Sequence, residues 1–397
     1  MNDYRTIHLW EFPEDKIFVQ LEDSYRKQLF GELLDKFGNT WQLSRALCLG
    51  YTTTKHMIDG VRYRNEDKLN EQVHCRLKLL KKIAWIHSEL YGEKQCAIKS
   101  EIEKNVSSYH ALSGTQITEP KLPIVARPEL FRAIGHVIAD GTWTPRSSAR
   151  YINSSIELIE RFKEDLNLVF GNVETNYINK GSHTPYLIFP TAIVHVLMDK
   201  YNVKFSGVNG FPNIMNRIPN RHKSYFLQAL FDDEGFVHDS NIQICGLDRG
   251  LLEGVKRILY DDFHINTGDI AYYQDYHRTK QHGTISKVAY FHVLSEGIPR
   301  YASHIGFQHP KKKDRLNLLL AIRKRGMRNF LSHEEVKERV IAELKNGPKT
   351  APELAVKLIL TARNLRDHLY VLEKKNEIRR LGKRLGKGGP QLWSLNP

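Results

Sequence analysis

The chain has 397 residues, 41% of them hydrophobic, which is long enough for more than one packed core and predicts several domains. A net charge of +14 and a pI near 9.4 point to a polyanionic partner, with nucleic acid ahead of an anionic membrane surface. No apolar run reaches membrane-spanning length, no signal-peptide pattern opens the chain, and Cys48, Cys75, Cys96 and Cys245 form no CxxC pair; the expectation is an intracellular protein of cytoplasm or nucleoid, with reduced thiols and no membrane partner.

Residues 1–22 carry no clear pattern. From Asp23 to Phe37 the spacing of Leu29, Phe30, Leu33 and Leu34 predicts a helix. Thr40 is placed to cap a short helix through Leu47. Gly50 supplies a turn, and Thr52–Asp59 forms a second helix stopped by Gly60. Two short helices around a glycine turn have the outline of a helix-turn-helix, with Thr53, Thr54, Lys55 and His56 on the outer face of the second. A basic amphipathic helix is expected from Lys68 to Leu90. Asn105–Pro123, rich in Ser, Thr and Pro, reads as a linker.

The middle of the chain contains an internal repeat. Phe131–Trp143, FRAIGHVIADGTW, and Phe226–Phe236, FLQALFDDEGF, are both apolar helical runs that close on an acid and a glycine, Asp140-Gly141 and Glu234-Gly235. After the first come the strand-like ARYINSS, a helix at Ile156–Phe170, strands at Asn172–Asn179 and Thr184–Phe189, and a helix at Thr191–Tyr201. After the second come a strand at Asn241–Gly246, a helix at Arg249–Tyr260, strands at Asp269–Tyr276 and Lys287–Leu294, and a helix near Pro299–Ile305. Each copy reads αββαββα.

The last seventy or so residues change character. HEEVKERVIAELKNG is an amphipathic helix stopped by Gly347-Pro348, Thr350–Glu353 has capping-box spacing ahead of a helix through Leu358, and Thr361–Lys374 is a third helix bearing Arg363, Asn364, Arg366, Asp367 and His368. EIRRLGKRLGKGGPQLWSL then gives two strands around a basic turn, which makes the whole a winged helix. Arg379, Arg380, Lys383, Arg384 and Lys387 are its expected phosphate contacts.

A carboxylate at the C-terminal end of a buried helix opposes the helix dipole, and its recurrence at Asp140 and Glu234 is explained if a cation joins it. Two copies in one chain suggest a monomer with internal pseudo-two-fold symmetry whose acid-tipped helices cross at Gly135, Ala139 and Ala229; Asp233, at the place equivalent to Ala139, is not small. Carboxylates brought together there would hold hard divalent ions, and Mg²⁺ bridged by carboxylate and phosphate oxygens supports phosphodiester hydrolysis. The flanking strands form twisted ribbons suited to a major groove, with Arg146, Arg150, Asn153, Lys180, His183, Gln274, His277 and Arg278 as candidate DNA contacts.

AIGHVIADG (Ala133–Gly141) and LQALFDDEG (Leu227–Gly235) resemble the two motifs of the LAGLIDADG homing endonucleases in their single-chain, two-repeat form, over roughly residues 125–325. His136 and Ile138 depart from the usual residues of the first motif, while Gly135, Ala139, Asp140 and Gly141 keep them; a lone histidine on an interface helix is read as a hydrogen-bonded packing residue. The resemblance implies that Asp140 and Glu234 are the catalytic, metal-binding acids, with two or three Mg²⁺ ions, and that both strands of a long double-stranded DNA site are cut. Ca²⁺ in their place would support binding without cutting. It also implies a basic residue late in each repeat. Lys311 or Lys312 fills that role in the second; in the first Asn216 stands where intein-borne members have lysine, and the adjacent Arg217 is the substitute.

The fold class expected is therefore α+β: a helical helix-turn-helix-like domain and linker over 1–120, LAGLIDADG repeats over 121–222 and 223–328 forming a DNA-binding saddle, and a winged helix over 329–397. The function expected is that of a sequence-specific, Mg²⁺-dependent homing endonuclease. The alternatives are a catalytically inactive transcriptional regulator built on the same parts and, third, an RNA splicing maturase.

Overall fold

In the computed structural model, the described residues are 5–62, 71–112, 114–145, 147–181, 184–204, 211–246, 248–274, 287–325, 331–383 and 391–396. The fold mixes helices with several small antiparallel sheets. The chain divides into two units, residues 1–233 with 247–255, and residues 234–246 with 256–397.

The first unit opens on a sheet that the sequence hides. Ile17–Leu21 buries Ile17, Val19 and Leu21 in strict alternation, the period of a half-buried strand. It lies between Val106–Ala111 and Cys75–Arg76 in a five-stranded sheet completed by Ile117–Thr118 and Asn172–Val173. The 105–123 segment expected as a linker thus supplies two strands, and residues 1–22 supply another. Three helices follow the expected bounds closely, at Asp23–Phe37, Thr40–Leu47 and Tyr51–Asp59. The cap of the second is Asn39, whose side chain accepts from the Gln42 N–H, and not Thr40. Arg26 is buried and donates to the carbonyls of Met57 and Ile58, closing the C-terminus of the third helix. The long helix expected over Lys68–Leu90 is shorter, Leu77–Tyr91, because Glu71–Gln72 and Cys75–Arg76 are extended.

Both αββαββα strings are present, except that the strand expected over Asn172–Asn179 is two, Asn172–Val173 in the five-stranded sheet and Asn176–Ile178 in the sheet of the first string. In the first, the helix Pro128–Asp140 leads into a sheet of order 141–142, 149–152, 186–189, 176–178, with helices Ile156–Phe170 and Thr191–Tyr201 between and after the strand pairs. In the second, the helix Asn220–Glu234 leads into a sheet of order 235–237, 242–245, 287–293, 271–274, with helices Arg249–Phe263 and Ile298–His304 in the matching places. The spatial order of the strands is the same in both. In the first sheet Ala149, Tyr151, Leu187 and Phe189 face inward; in the second Ile242, Ile244, Phe291 and Val293 do.

Gly141 ends its helix by an unexpected means. Its backbone is extended (φ −78°, ψ 140°), not left-handed, and it begins the first strand. Glycine is needed because a Cβ there would lie 2.7 Å from Cα of Val137.

The C-terminal part of the second unit runs His333–Lys345 (helix), Lys349–Thr350 (strand), Ala351–Leu358 and Ala362–Lys374 (helices), then strands Ile378–Lys383 and Gln391–Leu395. Reciprocal capping boxes, Ser332 with Glu335 and Thr350 with Glu353, start two of the helices. Val336, Val340 and Leu344 line one face of the first helix and pack with Leu354, Leu365, Leu369, Ile378 and Trp393. Arg384 and Lys387, and the side chain of Lys383, lie outside the described residues. No helix among the described residues is long and apolar enough to cross a membrane, and Cys48, Cys75, Cys96 and Cys245 are unbridged.

Candidate active site and nucleic-acid interface

Asp140 ends the first motif helix half-buried, and its Oδ2 accepts from Nδ2 of Asn153 at 2.9 Å. Asn153 stands just past the strand Ala149–Ile152 and is buried. Its Oδ1 accepts from the Ser155 backbone N–H at 2.9 Å. A backbone N–H can only donate, so the amide is held with its NH₂ toward the acids. The second proton of that NH₂ reaches Oδ1 of Asp233 at 3.0 Å. Asp233 also accepts from the Tyr151 hydroxyl at 2.8 Å and, on Oδ2, from His136 Nδ1 at 2.8 Å. Burial and the facing Asp233 push the Tyr151 phenol well above its ordinary range, so Tyr151 is a donor here. Burial pushes His136 down to about 4, against the pull of nearby carboxylates. His136 is therefore neutral with its proton on Nδ1. Its Nε2 meets no partner among the described residues, and protonating it would bury an unpaired N–H.

Two further features fix this helix. Arg132 and Asp165, both fully buried, form a two-pronged ion pair with Nε–Oδ2 at 2.6 Å and Nη2–Oδ1 at 2.5 Å, joining the motif helix to Ile156–Phe170. Gly135 admits the other motif helix, since a Cβ there would lie 2.7 Å from both the Cβ of Ala229 and the carbonyl oxygen of Phe226. The expected crossing at Gly135 and Ala229 is present.

In the second unit Glu234 is half-buried, and its carboxylate lies against Gly246, which has φ +87°; a Cβ there would stand 2.5 Å from Oε2. The Cys245 thiol points to the Glu234 carbonyl oxygen at 3.8 Å. The strand Gly235–Val237 that leaves Glu234 packs with the helix Pro310–Arg325, where Arg315 stacks over the Phe236 ring at 5.2 Å. Lys311 and Lys312 occupy the first turn of that helix, Lys311 exposed and Lys312 half-exposed. In the first unit Asn216 ends a short 3-10 helix and Arg217 is exposed, lining a cavity of about 440 Å³ with Glu11, Lys200 and Asn213.

The acids suit a divalent cation. Each is a hard oxygen donor at a helix end, half-exposed, and oriented, Asp140 by an amide and Glu234 by the space that Gly246 leaves. Among the described residues no group of three or more His, Cys, Asp or Glu gathers into a ligand shell. Mg²⁺ does not require one, because it retains waters and takes phosphate oxygens alongside one or two carboxylates.

The candidate nucleic-acid contacts divide by placement. Thr53 and Lys55 are exposed and His56 is half-exposed, but Thr54 is fully buried, its hydroxyl donating to the Gly50 carbonyl; it does not face outward as expected. Arg150 lies on the solvent face of the first sheet, across from Thr142 and Ile188, and stacks over Tyr186 at 5.1 Å. Lys180 is exposed, and Gln274 is exposed on the edge strand of the second sheet. Asn153 is turned inward and engaged with the acids. Arg363 and Arg366 are exposed on their helix; Arg380 lies 2.6 Å from Glu373 and over Trp393 at 5.1 Å. Arg146, His183, His277 and Arg278 lie outside the described residues. Tyr151, Arg132 and Asp165 carry no sequence signal of a role. The sequence signal for Asp233 is that it is not small where Ala139 stands in the first motif.

The class reached is thus an α+β protein with a repeated αββαββα string whose leading helices end in acids. No family model matches the sequence, and no curated protein matches it. Among solved structures the chain is similar to mesophilic variants of the homing endonuclease I-DmoI (17% identity, TM-score 0.33, 48% of this chain and 97% of that one). It is also similar to full-length DUF199/WhiA from Thermatoga maritima (16% identity, TM-score 0.34, 64% and 93%). A further match is I-DmoI in complex with DNA and Mn (17% identity, TM-score 0.32, 45% and 96%).

Proposed function

We propose that this chain is a sequence-specific DNA endonuclease of the homing type, hydrolysing phosphodiester bonds in both strands of a long duplex site with Mg²⁺. The observation that carries the reading is the separation of roles at the first motif. Asp233 is enclosed by His136, Tyr151 and Asn153 with its side chain fully buried, while Asp140 is a partly exposed residue at the helix end, held by Asn153. Glu234 holds the corresponding place in the second copy.

In this reading Asp140 and Glu234 are the metal-binding acids. When bound there, Mg²⁺ supplies an activated water and stabilisation of the leaving oxygen. Lys311 or Lys312 faces the scissile phosphate in one half-reaction and Arg217 in the other. A guanidinium stays protonated, so Arg217 can steady phosphate charge but not pass a proton, and the strand it serves is cut more slowly. Arg150 and Gln274 on the sheet faces read the groove. Thr53, Lys55 and His56 on a helix-turn-helix, and Arg363 and Arg366 on a winged helix, extend the site and add affinity by tethering. The net charge of +14 suits that partner.

The test is cleavage of a randomised duplex library with Mg²⁺. Recurrent cut ends sharing a sequence support the reading. Selective retention of a duplex sequence without cutting contradicts it and supports a DNA-binding regulator instead.

A further inference from the structure

We infer that Asn153 is a positioning residue for Asp140, itself fixed by the Ser155 N–H and by Asp233. The inference rests on the reading of Asp140 as a cation ligand. Asn153 has two N–H protons and directs one to each carboxylate, Asp140 at 2.9 Å and Asp233 at 3.0 Å. Its third contact, the Tyr151 oxygen at 3.3 Å, is longer and secondary. The Ser155 N–H on Oδ1 prevents the amide from flipping, so both protons are committed.

The consequence for Asp140 is directional. With Oδ2 tied to the amide, rotation of the carboxylate is restricted and its direction at the helix end is fixed. Asp233 receives Asn153 and Tyr151 on Oδ1 and His136 on Oδ2, three donors that hold it inside the helix pair. Two neighbouring aspartates thereby take different roles, one structural and one presented. Outer-shell partners of this kind change metal affinity by about 10–100-fold when removed.

The experiment is titration of the full-length protein with Mn²⁺ alone, followed by loss of the free-ion EPR signal. The variants are Asn153→Ala, Tyr151→Phe and Asp140→Asn, with thermal unfolding measured for each. Asn153→Ser, which keeps an acceptor for the Ser155 N–H, replaces Asn153→Ala if that variant does not fold. The expected result is Mn²⁺ affinity about tenfold weaker in the Asn153 variant, within twofold of wild type in Tyr151→Phe despite a lower unfolding temperature, and lost in Asp140→Asn. An Asn153 variant that binds Mn²⁺ within twofold of wild type, while Asp140→Asn does not bind, overturns the positioning role and leaves the cation reading standing. Equal weakening in Tyr151→Phe and the Asn153 variant also overturns it, since general loosening would then explain both. Binding that survives Asp140→Asn, or is absent from the wild type, overturns the cation reading and the inference with it.

Discussion

His136 Nδ1 lies 2.8 Å from Oδ2 of Asp233, joining the two motif helices. Each would be costly alone, as a buried imidazole or a buried carboxylate, and each supplies what the other lacks. His136→Leu leaves the buried carboxylate short of a donor and is expected to destabilise the protein by about 1.5–3 kcal/mol. His136→Leu with Asp233→Ala together should cost less than the sum of the two single changes, because no unpaired charge remains, although Tyr151 and Asn153 each lose an acceptor. A double-mutant cycle in urea checks the coupling.

The burial of His136 gives stability a pH dependence. His136 falls to about 4 in the folded protein from an unfolded value of 6.5, with burial the leading cause and Asp232, Asp165, Arg132 and Asp140 also acting on it. A lowered folded value means that the unfolded chain binds the proton first. The contribution is complete above pH 6.5 and is lost as pH falls toward 4. Thermal unfolding scanned from pH 7 to 4 should show this decline, and His136→Asn, which keeps a donor but does not titrate, should reduce it.

Breaking the Arg132–Asp165 pair is expected to cost more than breaking any surface bridge. Asp165→Asn leaves a buried guanidinium without its counter-charge, a loss of about 3–5 kcal/mol. Exposed pairs such as Arg249–Glu253 contribute about 1 kcal/mol or less. Chemical denaturation of Asp165→Asn beside Glu253→Gln separates the two cases.

Much of this architecture is legible in the sequence. The helices Asp23–Phe37, Ile156–Phe170 and Thr191–Tyr201 begin and end where their apolar spacing and glycine or asparagine stops place them. Val106–Ala111 is not legible, because its buried face includes Ser108, whose hydroxyl bonds to the Gln20 side chain and so can be interior without being apolar. Thr54 is hidden the same way, by a bond to the backbone of its own helix. The acids themselves are visible through the repeat. What distinguishes Asp233 from Asp140 is a pair of partners far from it in the chain, His136 and Tyr151, and spacing cannot report them.

The arginines of the C-terminal module should behave differently on DNA. Arg363→Ala is expected to reduce the salt dependence of binding by about one ion. Arg380 is already paired with Glu373 and stacked on Trp393, so Arg380→Ala should lower stability by about 0.5–1 kcal/mol and leave the salt slope unchanged. Binding isotherms between low and moderate salt measure both effects.

The most direct test of the central claim is to compare wild type, Asp140→Asn and Glu234→Gln on one cleavable duplex, reading cutting in Mg²⁺ and affinity in Ca²⁺. The account predicts that cutting disappears in both variants while duplex affinity stays within tenfold of wild type. Undiminished cutting in either variant, or an affinity loss beyond tenfold, would contradict the assignment of these acids to the chemistry.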